Sequence, residues 1–174
     1  FGINSESVYL SPAPLYHSAP LLFSTGTQSV GGTVVVLEKF DPLGALQAIE
    51  THEVSHSQWV PTMFSRMLKL PEADRSSYDL STHKVAIHAA APCPIEVKHQ
   101  MLKWWGPILH EYYAGTEGNG FCYVGPEEWI AHPGTVGKPL IGTIHICDED
   151  GVEVEAGEPG LIYFEREEQA FEYH

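Results

Sequence analysis

Apolar and polar positions follow two rhythms along residues 8–113, a short apolar run and a helical repeat, in turn. Residues 8–10 form a brief apolar stretch closed by Pro12-Ala13-Pro14, which reads as a strand entering a loop. Residues 33–37 are a nearly unbroken β-branched run, the pattern of a strand covered on both faces. Asp41 before Pro42 supplies an N-cap and a first helical position, and Leu43, Leu46 and Ile49 follow at helical spacing, so a helix is predicted over 42–52. Residues 57–60 return to strand character and stop at Pro61, which opens a helix through Met63, Phe64, Met67 and Leu68. A strand over 84–88, a helix over 95–105 behind Pro94, and a strand over 108–113 complete the series.

Strands alternating with helices across short connections imply βαβ units. The expected fold class is α/β, a mostly parallel sheet with helices on both faces. Past Gly118 the texture changes: Gly and Pro become frequent, helical periodicity fades, and 142–147 and 160–165 read as two strands. The expected division is an α/β portion over 1–118 and the beginning of a β-rich, barrel-like subdomain over 119–174.

Composition narrows the function classes. With 174 residues, 43% of them hydrophobic and 18% charged, the chain can bury a core. A net charge of −14 argues against nucleic acid, whose phosphates need clustered Lys and Arg. Ten acidic residues against one Arg lie between Asp148 and His174, a pattern read as a solvated face. Three cysteines (Cys93, Cys122, Cys147) at unrelated spacings give no disulfide framework and suit a reducing compartment. No apolar run reaches the ~18 residues of a membrane span, and no signal-peptide pattern opens the chain. A cytoplasmic protein is expected, with peripheral association with a membrane left open for a lipid substrate, although no basic amphipathic helix supports it. The chain starts at Phe1 and ends on Phe171-Glu172-Tyr173-His174 without a cap or polar stop, so it is expected to be an internal portion of something longer.

Four motifs carry candidate chemistry. His52-Glu53-Val54-Ser55-His56 fits a zinc-hydrolase spacing, which requires both imidazoles on one helical face. The helix is expected to fray at His52, and an extended segment would set the rings about 13 Å apart, at ~3.3 Å per residue. Ser24-Thr25-Gly26-Thr27 resembles the start of a phosphate loop but lacks its Lys and reads as the end of an apolar helix. Glu111-Tyr112-Tyr113-Ala114-Gly115-Thr116-Glu117-Gly118 is a strand end passing into a glycine-rich turn that presents a hydroxyl, a carboxylate and aromatic rings. Ligands of open α/β sheets sit at such ends, where a Glu can hold Mg²⁺, a Thr can bond phosphate and a Tyr can stack on a base. The small side chains of His88-Ala89-Ala90-Ala91-Pro92 allow close approach of a flat ligand, or tight helix–sheet packing.

Five collinear segments together resemble the adenylate-forming superfamily of acyl-CoA synthetases, luciferases and peptide-synthetase adenylation domains. They are Pro14-Leu15-Tyr16-His17, similar to its substrate-side histidine segment; Ala89-Ala90-Ala91-Pro92, similar to its Gly-Gly-Ala-Pro adenosine shelf; and Tyr113-Ala114-Gly115-Thr116-Glu117, similar to its YGxTE signature. Gly134-Thr135-Val136-Gly137-Lys138-Pro139 and Gly157-Glu158-Pro159-Gly160-Leu161 resemble its later GxxGxP and Gly-Glx turns. The wording is most like a bacterial fatty-acid–CoA ligase, seen through an internal part of the large N-terminal domain. The resemblance implies that a carboxylic acid is activated by ATP with Mg²⁺ and passed to CoA. On it, Thr116 would contact phosphate, Glu117 would hold Mg²⁺, Tyr113 would stack on adenine, and Glu111 and Tyr112 would border that ring. Ala89, Ala90, Ala91 and Pro92 would line the adenosine, and His17 would sit near the acyl carboxylate. The family's Lys-containing phosphate loop and C-terminal domain have no counterpart in this sequence, so the isolated chain is expected to be inactive. The small residues at 89–91 and 118–120 suit a fatty or otherwise bulky acid. No Asp between Ser7 and Phe40 offers to bind a substrate amine, which disfavours an amino-acid-activating domain. A non-catalytic nucleotide-binding remnant and an adenylation domain with another acceptor are the alternatives.

Overall fold

The computed structural model describes residues 1–168. Its element order is β1 (Val8–Ser11), α1 (Ser18–Ser29), β2 (Thr33–Val36), α2 (Pro42–Thr51), β3 (His56–Trp59), α3 (Pro61–Leu68), α4 (Glu72–Arg75), β4 (Val85–His88), α5 (Ile95–Trp105), β5 (Leu109–Ala114), β6 (Phe121–Val124), α6 (Pro126–Ala131), β7 (Lys138–Ile141), β8 (Thr143–Cys147) and β9 (Leu161–Glu165). Seven strands form one sheet in the order β2-β1-β3-β4-β5-β6-β7, and β8 and β9 form a separate antiparallel ribbon. β1 to β5 pair in parallel; β6 and β7 join antiparallel. The strand order reverses between β1 and β3, which opens a crevice at the carboxyl ends of the strands.

Each face of the sheet has its own helices. Leu10, Trp59, Ala86 and Leu109 belong to a buried core with Leu46, Ile49, Phe64 and Met101 of α2, α3 and α5. Tyr9, the neighbour of Leu10, points the other way and stacks on Phe23 of α1 with centroids 6.1 Å apart. The capping that starts α2 is as its sequence suggests: Asp41 Oδ2 accepts from the Gly44 amide at 2.8 Å, with Pro42 at the first helical position.

The sequence expectation needs three amendments. The 33–37 run is not fully covered: Thr33 and Val36 are exposed and Val34 and Val35 only half-buried, and β2 is moreover the outermost strand of the sheet. Helical structure does not end at Gly118. The six-residue α6, opened by Gly125 and Pro126, buries Trp129 alone and is too short to leave a periodic signal. The 118/119 division falls between β5 and β6, hydrogen-bonded neighbours in one sheet, and the two-stranded ribbon begins only at Thr143. The three cysteines are free thiols. Among the described residues no helix is long and apolar enough to cross a membrane. Residues 169–174, which include the end of the acidic stretch, lie outside the described residues.

Candidate active site

β4 and β5 lie side by side with His88 opposite Glu111, so the chain leaves both strands at the same sheet edge. After β4 it turns through Ala89, Ala90, Ala91 and Pro92. Ala90 has φ 76°, a left-handed conformation that costs an alanine on the order of 1–2 kcal/mol and that glycine adopts freely. Strain of this kind collects at functional sites. After β5 the chain turns through Gly115, Thr116, Glu117 and Gly118 into β6.

Two cavities flank these turns. One, of about 350 Å³, is lined by Ala90, Ala91 and Pro92, by Glu111, Tyr112 and Tyr113, and by Trp129 of α6. The other, of about 660 Å³, shares Ala90, Tyr112 and Ala114 with the first and adds Ala89, Thr116, Gly120, Phe121, and Leu22 and Phe23 of α1. The Tyr112 ring forms part of the shared wall; it stacks on Phe121 (5.0 Å, 11°) and meets Phe23 at 6.1 Å. The β8–β9 ribbon packs on the same edge. Ile162 lines the first cavity, Phe164 stacks on Tyr113 at 6.3 Å, and Arg166 Nη1 donates to the Gly118 carbonyl at 2.5 Å. Phe164 lies so close over Gly120 that a Cβ there would meet its ring at 2.0 Å.

The turn after β5 gathers oxygen atoms. A Cβ on Gly115 would lie 2.9 Å from Glu117 Oε2 and 3.0 Å from Asn119 Oδ1, so the missing side chain leaves room for both oxygens to converge. Thr116 Oγ1 is 3.3 Å from Ser18 Oγ at the head of α1. A carboxylate, an amide oxygen and hydroxyls form a hard donor set, which fits Mg²⁺.

Beneath the first cavity lies a buried charge cluster. Lys98 of α5 is fully buried, and its Nζ donates to Glu111 Oε2 at 2.6 Å. His88 Nε2 lies 3.5 Å from the same oxygen, and neither nitrogen of this fully buried ring has a hydrogen-bond partner among the described residues. Burial, helped by the Lys98 charge, holds the His88 imidazole well below its usual range. Burial lowers the Lys98 ammonium while Glu111 pulls it back up, and the Cys93 thiol is pushed up to about 11 by burial and by the Glu111 charge.

The structure brings together all but one of the residues expected from sequence. Ala89, Ala90, Ala91, Pro92, Glu111, Tyr112, Tyr113 and Thr116 line the cavities, and Glu117 stands over Gly115 beside them. His17 is an exposed N-cap of α1 and lines neither cavity, although its neighbour Ser18 reaches Thr116. Ser24–Thr27 are turns of α1, as the helical reading has it. The zinc-hydrolase spacing is broken: His52 caps α2, Glu53 has φ 51°, and His56 is in β3, where its Nε2 bonds the Phe1 carbonyl at 3.1 Å. Sequence reasoning missed Lys98, His88, Trp129, Asn119 and Ser18. Lys98 alone had left a trace, a charged residue three positions before Met101 on the buried side of α5.

The family described as AMP-binding enzyme matches residues 1–174. This chain belongs to that family. It is 36% identical over 135 residues to 4-coumarate–CoA ligase-like 5 of Oryza sativa subsp. japonica, a match covering 76% of this chain and 24% of that protein. It is 30% identical over 158 residues to medium/long-chain-fatty-acid–CoA ligase FadD8 of Mycobacterium tuberculosis, covering 88% and 27%. The solved amide bond synthetase McbA from Marinactinospora thermotolerans superposes with a TM-score of 0.80 at 25% identity, over 93% of this chain and 33% of that one. The chain thus spans about a quarter to a third of the length of these AMP-binding enzymes.

Proposed function

We propose that this chain forms part of an acid–CoA ligase that uses ATP to activate a fatty or otherwise bulky apolar carboxylic acid. A carboxylate oxygen attacks the α-phosphorus of ATP, the bond to pyrophosphate breaks, and an acyl-adenylate results. The CoA thiolate then attacks the acyl carbonyl and AMP leaves. Such chemistry is mostly alignment and charge neutralisation around phosphoryl oxygens.

The observation that carries this reading is the meeting of the two strand-end turns across a shared Tyr112 wall, with a cavity on each side. In the first cavity the adenosine lies along Ala90, Ala91 and Pro92, with Ala89 on the second cavity's side of the shared wall, Tyr113 stacks on the base, and Glu111 and Tyr112 border it. Thr116 donates to phosphate; Glu117 and Asn119 would hold Mg²⁺, which would supply positive charge to the phosphate oxygens. The second cavity takes the acid. Among the described residues its walls carry no charged side chain, and Leu22, Phe23, Tyr112 and Phe121 suit an apolar body. His17, the exposed N-cap of α1 next to Ser18 in sequence, is assigned to the acid's carboxylate on the family resemblance. The similarity to relatives named as CoA ligases supports CoA as acceptor; the similarity to an amide bond synthetase makes an amine the second candidate.

The test uses the full-length protein carrying this chain, with ATP, Mg²⁺, CoA and a panel of acids from acetate to long-chain and aryl acids. The expected result is thioester formation with bulky apolar acids. Turnover confined to acetate and other very short acids would contradict the substrate assignment, and amide formation without thioester would move the acceptor to an amine. The 174-residue chain by itself is expected not to turn over ATP.

A further inference from the structure

Residues 115–120 join β5 to β6 and carry the two oxygens that converge beside Gly115, yet little inside this turn fixes them. Gly118, between Glu117 and Asn119, has φ 70°, and among the described residues nothing stands within 4 Å of where a Cβ on it would lie. An unpacked glycine in the left-handed region leaves the chain free to swing there. Its N–H donates to the Gly115 carbonyl at 3.1 Å, which orients the peptide between Glu117 and Gly118. The next peptide, which leads to Asn119, is oriented from outside the turn: the Gly118 carbonyl accepts from Arg166 Nη1.

Arg166 follows β9 directly, and the ribbon sets its position. Phe164, two positions earlier and so on the same side of an extended chain, stacks on Tyr113 and lies over Gly120. Arg166 Cγ lies 3.5 Å from the Cβ position of Gly142, where the chain passes from β7 to β8. The guanidinium is not held by a carboxylate. Glu165, Glu167 and Glu168 adjoin it in sequence, but Glu165 Oε2 faces His145 Nε2 at 3.0 Å, and among the described residues Arg166 forms no ion pair. In a chain with 9 Lys and Arg against 23 Asp and Glu, this cation is directed at a backbone carbonyl of the turn. A hydrogen bond from a charged donor is among the stronger ones available for that purpose.

We propose that Arg166 is a positioning residue: by holding the Gly118 carbonyl it fixes Asn119 relative to Glu117, so that their oxygens meet at one point and can take a cation together. It acts through the turn and not on the nucleotide. This rests on the reading of the turn as the Mg²⁺ site.

Calorimetric titration of the full-length protein with ATP, once with Mg²⁺ and once with EDTA, tests it without turnover, since no acid is present. In the unaltered protein Mg²⁺ is expected to tighten ATP binding. In Arg166→Met, which keeps the stem and loses every donor, that gain is expected to shrink about tenfold, the scale of one hydrogen bond from a charged group. Affinity in EDTA and the melting temperature are expected to stay as they were. Arg166→Lys, which keeps a charged donor, is expected to recover most of the gain. An undiminished gain from Mg²⁺ in Arg166→Met, or an equal loss with Mg²⁺ and with EDTA, would overturn the inference alone. No ATP binding by the unaltered protein, or binding indifferent to Mg²⁺, would overturn the reading of the turn and the inference with it.

Discussion

A Cβ on Gly115 would meet Glu117 Oε2 at 2.9 Å and Asn119 Oδ1 at 3.0 Å, and both atoms are far ends of flexible side chains. A methyl group there can push them aside at little cost to the fold, but it moves the oxygens that would hold the cation. Gly115→Ala is therefore expected to change stability by less than ~1 kcal/mol while lowering adenylate formation by roughly tenfold to a hundredfold, the scale of an ångström of misplacement. Parallel denaturation and steady-state kinetics on the full-length protein check this, and unchanged kinetics would remove Gly115 from the site. At this scale the sequence was readable where residues form a local signature, as from Glu111 to Glu117. It was silent where the site is assembled across the sheet: Lys98, His88 and Trp129 are remote in sequence from one another's contacts and meet only because α5, β4, β5 and α6 converge.

Among the elements, β1 to β5, β8, β9, α2, α3 and α5 were legible, most of them because an apolar pattern meets a Pro, Asp or Gly boundary. The seam between parallel and antiparallel pairing was visible as a change in texture, but β6 and β7 still add to the same sheet, since edge pairing has no sequence period of its own. β3 is tied to the segment before β4 by a buried network: Trp59 Nε1 donates to Ser57 Oγ at 2.5 Å, and Ser57 Oγ bonds His83 Nε2 at 2.6 Å. Burial pulls the His83 imidazole down to about 3, helped by the nearby His56 and opposed by the Val85 backbone. The sign follows from the lowered value: the unfolded state takes up a proton below about 6.5 while the folded state does not. Stability is then lost as pH falls from about 6.5 toward 3, by about 1.4 kcal/mol per pH unit from this group. Urea midpoints of the full-length protein at pH 7.5 and 5.5 are expected to fall on acidification, and less steeply in His83→Gln. Equal slopes would show that His83 titrates in the folded state.

For the molecule as a whole, the sheet delivers two chemistries to one edge. The parallel register of β4 and β5 brings the alanine shelf and the glycine-rich turn together, α1 closes one side, and the β8–β9 ribbon closes the other with Ile162 and Phe164. A net charge of −14 gives no general attraction for a nucleotide, so affinity has to come from these local groups. The central claim is that this edge activates an acid on ATP, and acid-dependent exchange of labelled pyrophosphate into ATP reads that step without the acceptor. The full-length protein is expected to exchange when a bulky apolar acid is present and to lose ~10²–10³-fold in Glu117→Gln, the scale of removing one group that stabilises developing charge. No exchange with any apolar acid, or full exchange in Glu117→Gln, would contradict the account.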